Sequence, residues 1–122
     1  MFKKLFSGWR TSVIPLTQLV RDRVDDLFPE RDRGAARAIL EQHFGFSLPL
    51  IPGIKPETYN PVRCAALKLS EGDLKVLEEL IPEAHHDWRD VLIAAGFGWD
   101  TEAHKNWRPT KQAEQDADGD PL

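Results

Sequence analysis

Residues 85–108 contain most of the side chains in this sequence that could do chemistry. The chain has four histidines and four tryptophans, and three of each lie in this stretch. Imidazole and carboxylate groups can bind metals or carry protons, whereas tryptophans supply large apolar contact surfaces. The stretch is therefore either a functional site or a small aromatic core.

A metal site is one interpretation of the His85-His86 pair. Consecutive helical residues point about 100° apart, so these two imidazoles cannot bind one ion from an intact helix. His86 and Asp90 share a face at the spacing i, i+4, which makes them weak candidate ligands, but the sequence offers no third ligand in a known pattern. We expect a surface pair of His86 with Asp90, no metal ion and no cofactor.

Catalytic motifs are absent from the sequence. It contains no nucleophile elbow, no phosphate-binding loop and no dinucleotide fingerprint. Its single cysteine, Cys64, has no evident base and is expected to be a buried, inert thiol. The sequence therefore predicts a protein that is not an enzyme.

Residues 90–108 resemble the helix-turn-helix of bacterial repressors. The resemblance implies a first helix that ends at Ala95-Gly96 and a second, DNA-reading helix that opens at Thr101. Leu92 departs from it, because the first helix of that motif has a small residue there. The net charge of −4 also disfavours a phosphate partner, so nucleic acid is the second interpretation. Its candidate contact residues are Thr101, Lys105, Asn106 and Arg108.

A longer stretch, residues 62–109, resembles the C-terminal segment of a family of small bacterial proteins without an assigned activity. The resemblance depends on the run Asp87-Trp88-Arg89-Asp90-Val91-Leu92, on Ala95-Gly96-Phe97-Gly98, and on His104 with Trp107. It implies a bacterial origin and transfers no catalytic residue.

The composition limits the protein to an ordinary globular class. With 122 residues, 41% of them hydrophobic and 30% charged, the chain has room for one core. One cysteine excludes an internal disulfide and fits a reducing compartment. No run approaches the ~18 apolar residues that a membrane span needs. We therefore expect a cytoplasmic protein without a transmembrane segment.

Apolar residues at spacings of three and four predict the helices that position residues 85–108. They indicate helices over about 15–28 and 31–44, one starting at Asn60, one from Ser70 to Pro82, one over about 83–95, and a last short one. Ser70 with Asp73 resembles a capping box, and Gly45 and Gly96 are placed as left-handed caps. The predicted fold is all-α, an irregular or orthogonal bundle of five to six helices.

Three tryptophans are predicted to hold the last two helices against the first pair. Trp88 lies on the apolar face of its helix, and Trp107 follows on the last one. Trp99 precedes a cap at Asp100 or Thr101 and is expected to pack on His104 as a hydrophobic staple. Asp100 is also close enough in sequence to pair with that imidazole.

Two stretches lie outside the helical pattern. Residues 45–60 carry Pro49, Pro52 and Pro56 among apolar side chains, which predicts a proline-rich strap packed over the core. Residues 110–122 are polar and acidic, which predicts a disordered tail. Residues 1–109 are predicted to form a single helical domain, in which residues 1–12 are an N-terminal arm.

The predicted function is a non-enzymatic protein-interaction or self-associating module. Its partner is another protein or a second copy of this chain, as in a homodimer. The N-terminal arm has apolar residues at helical spacing beside Lys3 and Lys4, which suits docking on the core or on another subunit, and also a weak membrane-surface helix. Apolar segments at 2–9 and 48–54 exceed what a small core needs. The candidate contact residues are Phe2, Phe6, Trp9, Trp88, Trp99, His104 and Trp107.

Overall fold

The structure, a computed structural model, describes residues 14–45, 48 and 55–109. Within these ranges the chain forms six α-helices, one 3-10 helix and no β-strand, so the prediction of an all-α fold is confirmed. The helices are α1 (Gln18–Leu27), α2 (Glu30–His43), a 3-10 helix (Pro56–Tyr59), α3 (Asn60–Ser70), α4 (Leu74–His86), α5 (Trp88–Ala94) and α6 (Ala103–Asn106). None of these helices has the length and apolar character that spanning a bilayer requires.

Parts of the sequence predictions lie outside the described residues. These parts are the N-terminal arm of residues 1–12, half of the proline-rich strap and the tail of residues 110–122. Within the strap, Leu48 is buried, and the 3-10 helix begins at Pro56. The strap was predicted to exclude regular helix, but the fixed φ of proline suits the first position of this short one.

α1 and α2 are consecutive helices that pack on each other, joined by Phe28 and Pro29. α1 begins at Gln18, three residues after the predicted start, because Thr17 is extended and its hydroxyl accepts a hydrogen bond from the backbone N–H of Val20. The buried side of this helical pair is formed by Val20, Val24, Phe28, Ala36 and Leu40.

α3 is the central helix and packs against α1, α4, α5 and α6. Residues 62–67 are all buried, and Cys64, Ala65 and Ala66 are small enough for neighbours to approach from several sides. α3 begins at Asn60, where the sequence predicts its start, but Asn60 does not cap the helix. Asn60 is already helical because the 3-10 helix leads directly into α3, and its Oδ1 instead accepts from the Thr17 hydroxyl at 3.0 Å.

The start of α4 also differs from the prediction. Asp73 is the N-cap, and its carboxylate accepts from the backbone N–H of Lys75 at 2.9 Å. Ser70 was expected to cap this helix. It is instead the last residue of α3, where its hydroxyl donates to the carbonyl of Leu67 at 2.8 Å.

The boundary between α4 and α5 lies at Asp87, not at Pro82. α4 continues through an exposed Pro82 to His86, and the extended backbone of Asp87 (φ −159°) ends it. The Asp87 carboxylate then caps α5 by accepting from the N–H of Arg89 at 3.1 Å. His85 and His86 therefore close α4, although their sequence neighbours predict that they open the next helix.

Arg63 is the largest fully buried side chain and ties three segments together. Its guanidinium donates to the carbonyls of Ile14 (2.7 Å), Pro15 (3.0 Å) and Phe44 (2.9 Å) and lies over the ring of Tyr59. Burial lowers the pKa of Arg63 to about 10, so the group stays charged at neutral pH. The segments before α1 and after α2 are therefore bound to the central helix.

Gly45 is not the left-handed cap that its position after α2 predicts. The positive φ values among the described residues belong to Glu71, Gly72, Gly96 and Gly98. A Cβ on Gly45 would lie 3.2 Å from Nη2 of Arg63, so the glycine makes room for the guanidinium.

Candidate functional site

An apolar groove of about 250 Å³ lies between the start of α3 and the segment formed by α5 and the loop that follows it. We call it the aromatic groove because two tryptophans line it. One wall comes from the 3-10 helix and the first turn of α3, and the other from α5 and the loop of residues 95–102. Its lining residues are Thr58, Pro61, Val62, Trp88, Leu92, Gly98, Trp99, Asp100 and Thr101.

Trp88 is placed in the groove by the cap of its helix. Asp87 begins α5 by capping it, which makes Trp88 the first helical residue and sets it on the same face as Leu92. Arg89 donates to the Asp87 carboxylate from Nε at 2.9 Å, and this contact lowers the pKa of Asp87. Trp88 is half-buried and packs against the core, as the sequence predicts.

Trp99 lies at the rim of the groove and is 70% exposed. The predicted staple of Trp99 against His104 is therefore wrong. Gly96 is the left-handed cap of α5 that the sequence predicts, and Gly98 also has a positive φ. The loop between them turns Phe97 into the core and leaves Trp99 outside.

Trp99 was expected to pack in the interior and hold the last two helices in place, but Phe97 packs there instead. It is buried, its ring centroid lies 6.4 Å from that of Trp107, and Lys68 Nζ lies 5.2 Å above the ring. The backbone N–H of Phe97 donates to the carbonyl of Leu92 at 3.0 Å. The sequence contains one signal for the burial of Phe97, which is its position directly after Gly96. An apolar residue often follows a left-handed cap and packs back on the helix.

Trp107 and His104 are brought together with Arg23 of α1. The guanidinium of Arg23 lies 5.9 Å from the centroid of the half-buried Trp107 ring, and its Nη2 donates to the carbonyl of Lys105 at 3.4 Å. His104 is only 3% exposed, so it is a core residue and not the surface contact that was predicted. Trp107 directly follows α6, and its side chain packs against the hydrophobic core. It therefore contributes more to the stability of the fold than to a binding surface.

The environment of His104 disfavours protonation of its imidazole. Burial and the neighbouring charge of Lys105 lower its pKa, and its Nδ1 has no hydrogen-bond partner among the described residues. Asp100 was expected to pair with this ring. Its carboxylate instead accepts from the backbone N–H of Glu102 at 2.8 Å, in the turn that precedes α6.

His86 and Asp90 do not share a helix face, so the expected surface pair at i, i+4 is wrong. His86 ends α4, and Asp90 lies in the first turn of α5. The break at Asp87 removes the helical spacing on which the pairing depends. In the described part of the chain, no three histidine, cysteine or carboxylate groups are placed to hold a metal ion.

A second groove, of about 370 Å³, lies between α4 and α5. We call it the acidic groove because Glu79, Glu83 and Asp90 stand along it. Its apolar lining comes from Leu69, Val76, Leu80, Val91 and Ala94. No ion pair joins its three carboxylates to a basic group within the described ranges.

The geometry of residues 88–108 departs from a helix-turn-helix. α6 begins at Ala103, not at Thr101, and contains four residues, whereas a DNA-reading helix must present several side chains along the major groove. Thr101, Lys105, Asn106 and Arg108 are all exposed. Lys105 makes an ion pair with Glu102 at 2.9 Å, which partly neutralises it.

Cys64 lies inside the central helix and is fully buried. Burial raises the pKa of its thiol to about 12, so the reactive thiolate is scarce at neutral pH. Its placement agrees with the predicted inert thiol.

Comparison with known proteins returned no similar one. No protein-family model, curated protein or solved structure matches this chain.

Proposed function

We propose that this chain is a non-enzymatic protein-interaction module whose aromatic groove binds a side chain of a partner protein. The observation that carries the proposal is the exposure of Trp99 at the rim of an apolar groove. Tryptophan is enriched among the residues that dominate binding energy, and exposing its indole to water is unfavourable. A partner that covers Trp99 would remove that apolar surface from water.

The size of the groove favours an anchoring side chain over a small-molecule ligand. Pockets for drug-sized molecules measure about 300 to 1,000 Å³, whereas this groove measures about 250 Å³. Its lining is apolar apart from Thr58, Asp100 and Thr101. One aromatic or large aliphatic side chain fits such a space.

The rim of the groove indicates the charge of the partner. Asp100 lines the groove, and Glu57 directly precedes the lining residue Thr58. Both are exposed, and neither forms an ion pair with another described residue. Complementary charge increases the association rate and the specificity of an interface. The partner segment should therefore carry lysine or arginine next to its apolar anchor.

A peptide library selected on the immobilised full chain tests this function. We expect the selected peptides to share an aromatic residue flanked by basic ones, and to shift the amide NMR signals of Gly98 and Thr101. Trp99→Ala should weaken peptide binding about 30-fold, as loss of a binding hot spot does. Ile93→Ala is the matched control, because Ile93 is also exposed (55%) but does not line the groove.

Two results would contradict the proposal. One is a selection without enrichment, or peptides whose affinity is unchanged by Trp99→Ala. The other is a dimer, seen by sedimentation, that dissociates on Trp99→Ala, since the groove would then bind a second copy of this chain.

Nucleic-acid binding stays a separate prediction with its own test. Retention on DNA at low salt that falls on Lys105→Ala and on Arg108→Ala would support it. Each variant removes one phosphate contact, which lowers both the affinity for DNA and its dependence on salt. Absence of retention at low salt would remove it.

A further inference from the structure

The described chain begins against the turn of α3 that also supplies part of one wall of the aromatic groove. The Thr17 hydroxyl donates to Asn60 Oδ1, and Arg63 donates to the carbonyls of Ile14 and Pro15. These contacts bind residues 14–17 to the first turn of α3. Pro61, from the same turn, lines the groove. The N-terminal arm therefore joins the described structure at the turn of α3 that contributes Pro61 to this groove.

The arm has the chemistry that the groove favours in a partner. Its apolar residues recur at helical spacing, and it carries three basic residues and no acidic one. The apolar residues are Phe2, Leu5, Phe6 and Trp9, and the basic residues are Lys3, Lys4 and Arg10. An aromatic anchor with flanking positive charge is thus present within the chain itself.

We propose that the N-terminal arm places an aromatic side chain of residues 2–9 in the aromatic groove of the same molecule and so regulates the access of partners to the groove. This inference rests on the proposed function, because it concerns the same groove. Residues 10–13 connect Trp9 to Ile14 and reach at most ~17 Å when extended. So short a tether gives an effective concentration in the millimolar range, which favours the molecule's own arm over the arm of a second copy at micromolar protein.

The acidic groove is the competing location for a basic arm. Its lining residue from α3 is Leu69, eight residues along that helix from Pro61. Eight helical residues correspond to about 12 Å of rise. Along α3, Pro61 of the aromatic groove is therefore nearer than Leu69 to Arg63, which binds Ile14, and the acidic groove becomes a measurable alternative.

A spin label on the arm distinguishes these locations. Ser7→Cys introduces a reactive thiol, while the buried Cys64, with its raised pKa, stays unlabelled under native conditions. A nitroxide attached at position 7 broadens the NMR signals of nearby protons. We expect the Trp99 indole N–H and the amides of Gly98 and Thr101 to lose more than half of their intensity, and the amides of Glu79 and Glu83 to keep theirs.

Control samples make each outcome decisive. Adding Phe6→Asp and Trp9→Asp to the labelled chain should restore the signals of Gly98 and Thr101. Nitroxide-labelled protein without isotope, mixed with isotope-labelled protein without nitroxide, should show no broadening. Broadening in that mixture would show that the arm binds another molecule, and broadening at Glu79 would place it in the acidic groove. Either result, or no broadening at all, overturns the proposal.

The regulatory part has a second measurement. Releasing the arm by Phe6→Asp with Trp9→Asp should raise the affinity for groove-binding library peptides at least about fivefold, because a groove occupied most of the time lowers apparent affinity in proportion. If the spin label places the arm in the aromatic groove but the peptide affinity of the released variant is unchanged, the arm docks there without regulating access. If no peptide binds even the released variant, the proposed function fails independently of where the arm lies.

Discussion

Nη2 of Arg63 lies 2.7 Å from the carbonyl oxygen of Ile14, although 49 positions separate these residues in the chain. The same guanidinium also bonds the carbonyls of Pro15 and Phe44. A buried charge is stable only when its donors are used, and these three carbonyls accept from all three guanidinium nitrogens of Arg63. The pairing of Arg63 with Ile14 therefore fixes the point from which the N-terminal arm departs.

Replacing Arg63 should destabilise the fold. Arg63→Ala leaves the buried carbonyls of Ile14 and Phe44 and the part-buried carbonyl of Pro15 without this donor, so we expect the free energy of unfolding to fall by about 3 kcal/mol or more. The stability of Arg63→Lys should lie between those of the wild type and Arg63→Ala, because an ammonium keeps the charge but cannot reproduce the donor geometry of a guanidinium. Urea denaturation followed by circular dichroism measures both. An Arg63→Ala variant within about 1 kcal/mol of the wild type would contradict the role of this cluster.

The stability of the protein should fall as pH drops below about 6.5, the usual pKa of histidine. The folded state lowers the pKa of His104, so the unfolded chain binds a proton more readily in this range. Stability is then fully present above the unfolded pKa and is lost as pH decreases through it. Thermal melts between pH 8 and pH 5 measure this loss.

His104→Gln is the control for this pH dependence, since glutamine does not titrate. Its melting temperature should vary less than that of the wild type over the same range. Asp87 does not interfere, because its lowered pKa affects stability only below about pH 4. Equal slopes for wild type and His104→Gln would show that His104 is not responsible.

Cys64 should resist thiol reagents as long as the protein is folded. It is fully buried, and its pKa of about 12 leaves almost no thiolate at pH 8. Labelling with a maleimide should be slow in buffer and complete within minutes in 6 M guanidinium, as mass spectrometry would show. Rapid stoichiometric labelling of the folded protein would mean that α3 is more open than described.

Two glycine substitutions should change stability in opposite directions. Gly34 lies exposed inside α2, and a Cβ there has no atom within 4 Å, so Gly34→Ala should raise the free energy of unfolding by about 0.5 to 1 kcal/mol. Gly72 has φ +82°, and its Cβ would lie 2.6 Å from the carbonyl oxygen of Leu27. Gly72→Ala should therefore destabilise by about 1 to 3 kcal/mol. Denaturant titration of both variants checks the sign, and a neutral Gly72→Ala would contradict the close approach.

Apolar spacing in the sequence was sufficient to predict an all-α fold and the approximate positions of its helices. A repeat of three and four residues determines which side chains share one face, and that face must be buried whatever it packs against. Val24, Leu40 and Leu77 are buried accordingly. The cap at Gly96 was also predictable, because a left-handed residue after a helix strongly favours glycine.

Only the tertiary structure determined which residues line the candidate site. The loop of residues 95–102 has no periodicity, and its backbone torsions direct Phe97 inward and Trp99 to the groove. The break at Asp87 separates His86 from Asp90, although the residue types alone allow a continuous helix there. Arg63 reaches its carbonyl partners across 19 to 49 positions. Periodicity describes one helix at a time, so contacts between distant segments depend on how the helices pack.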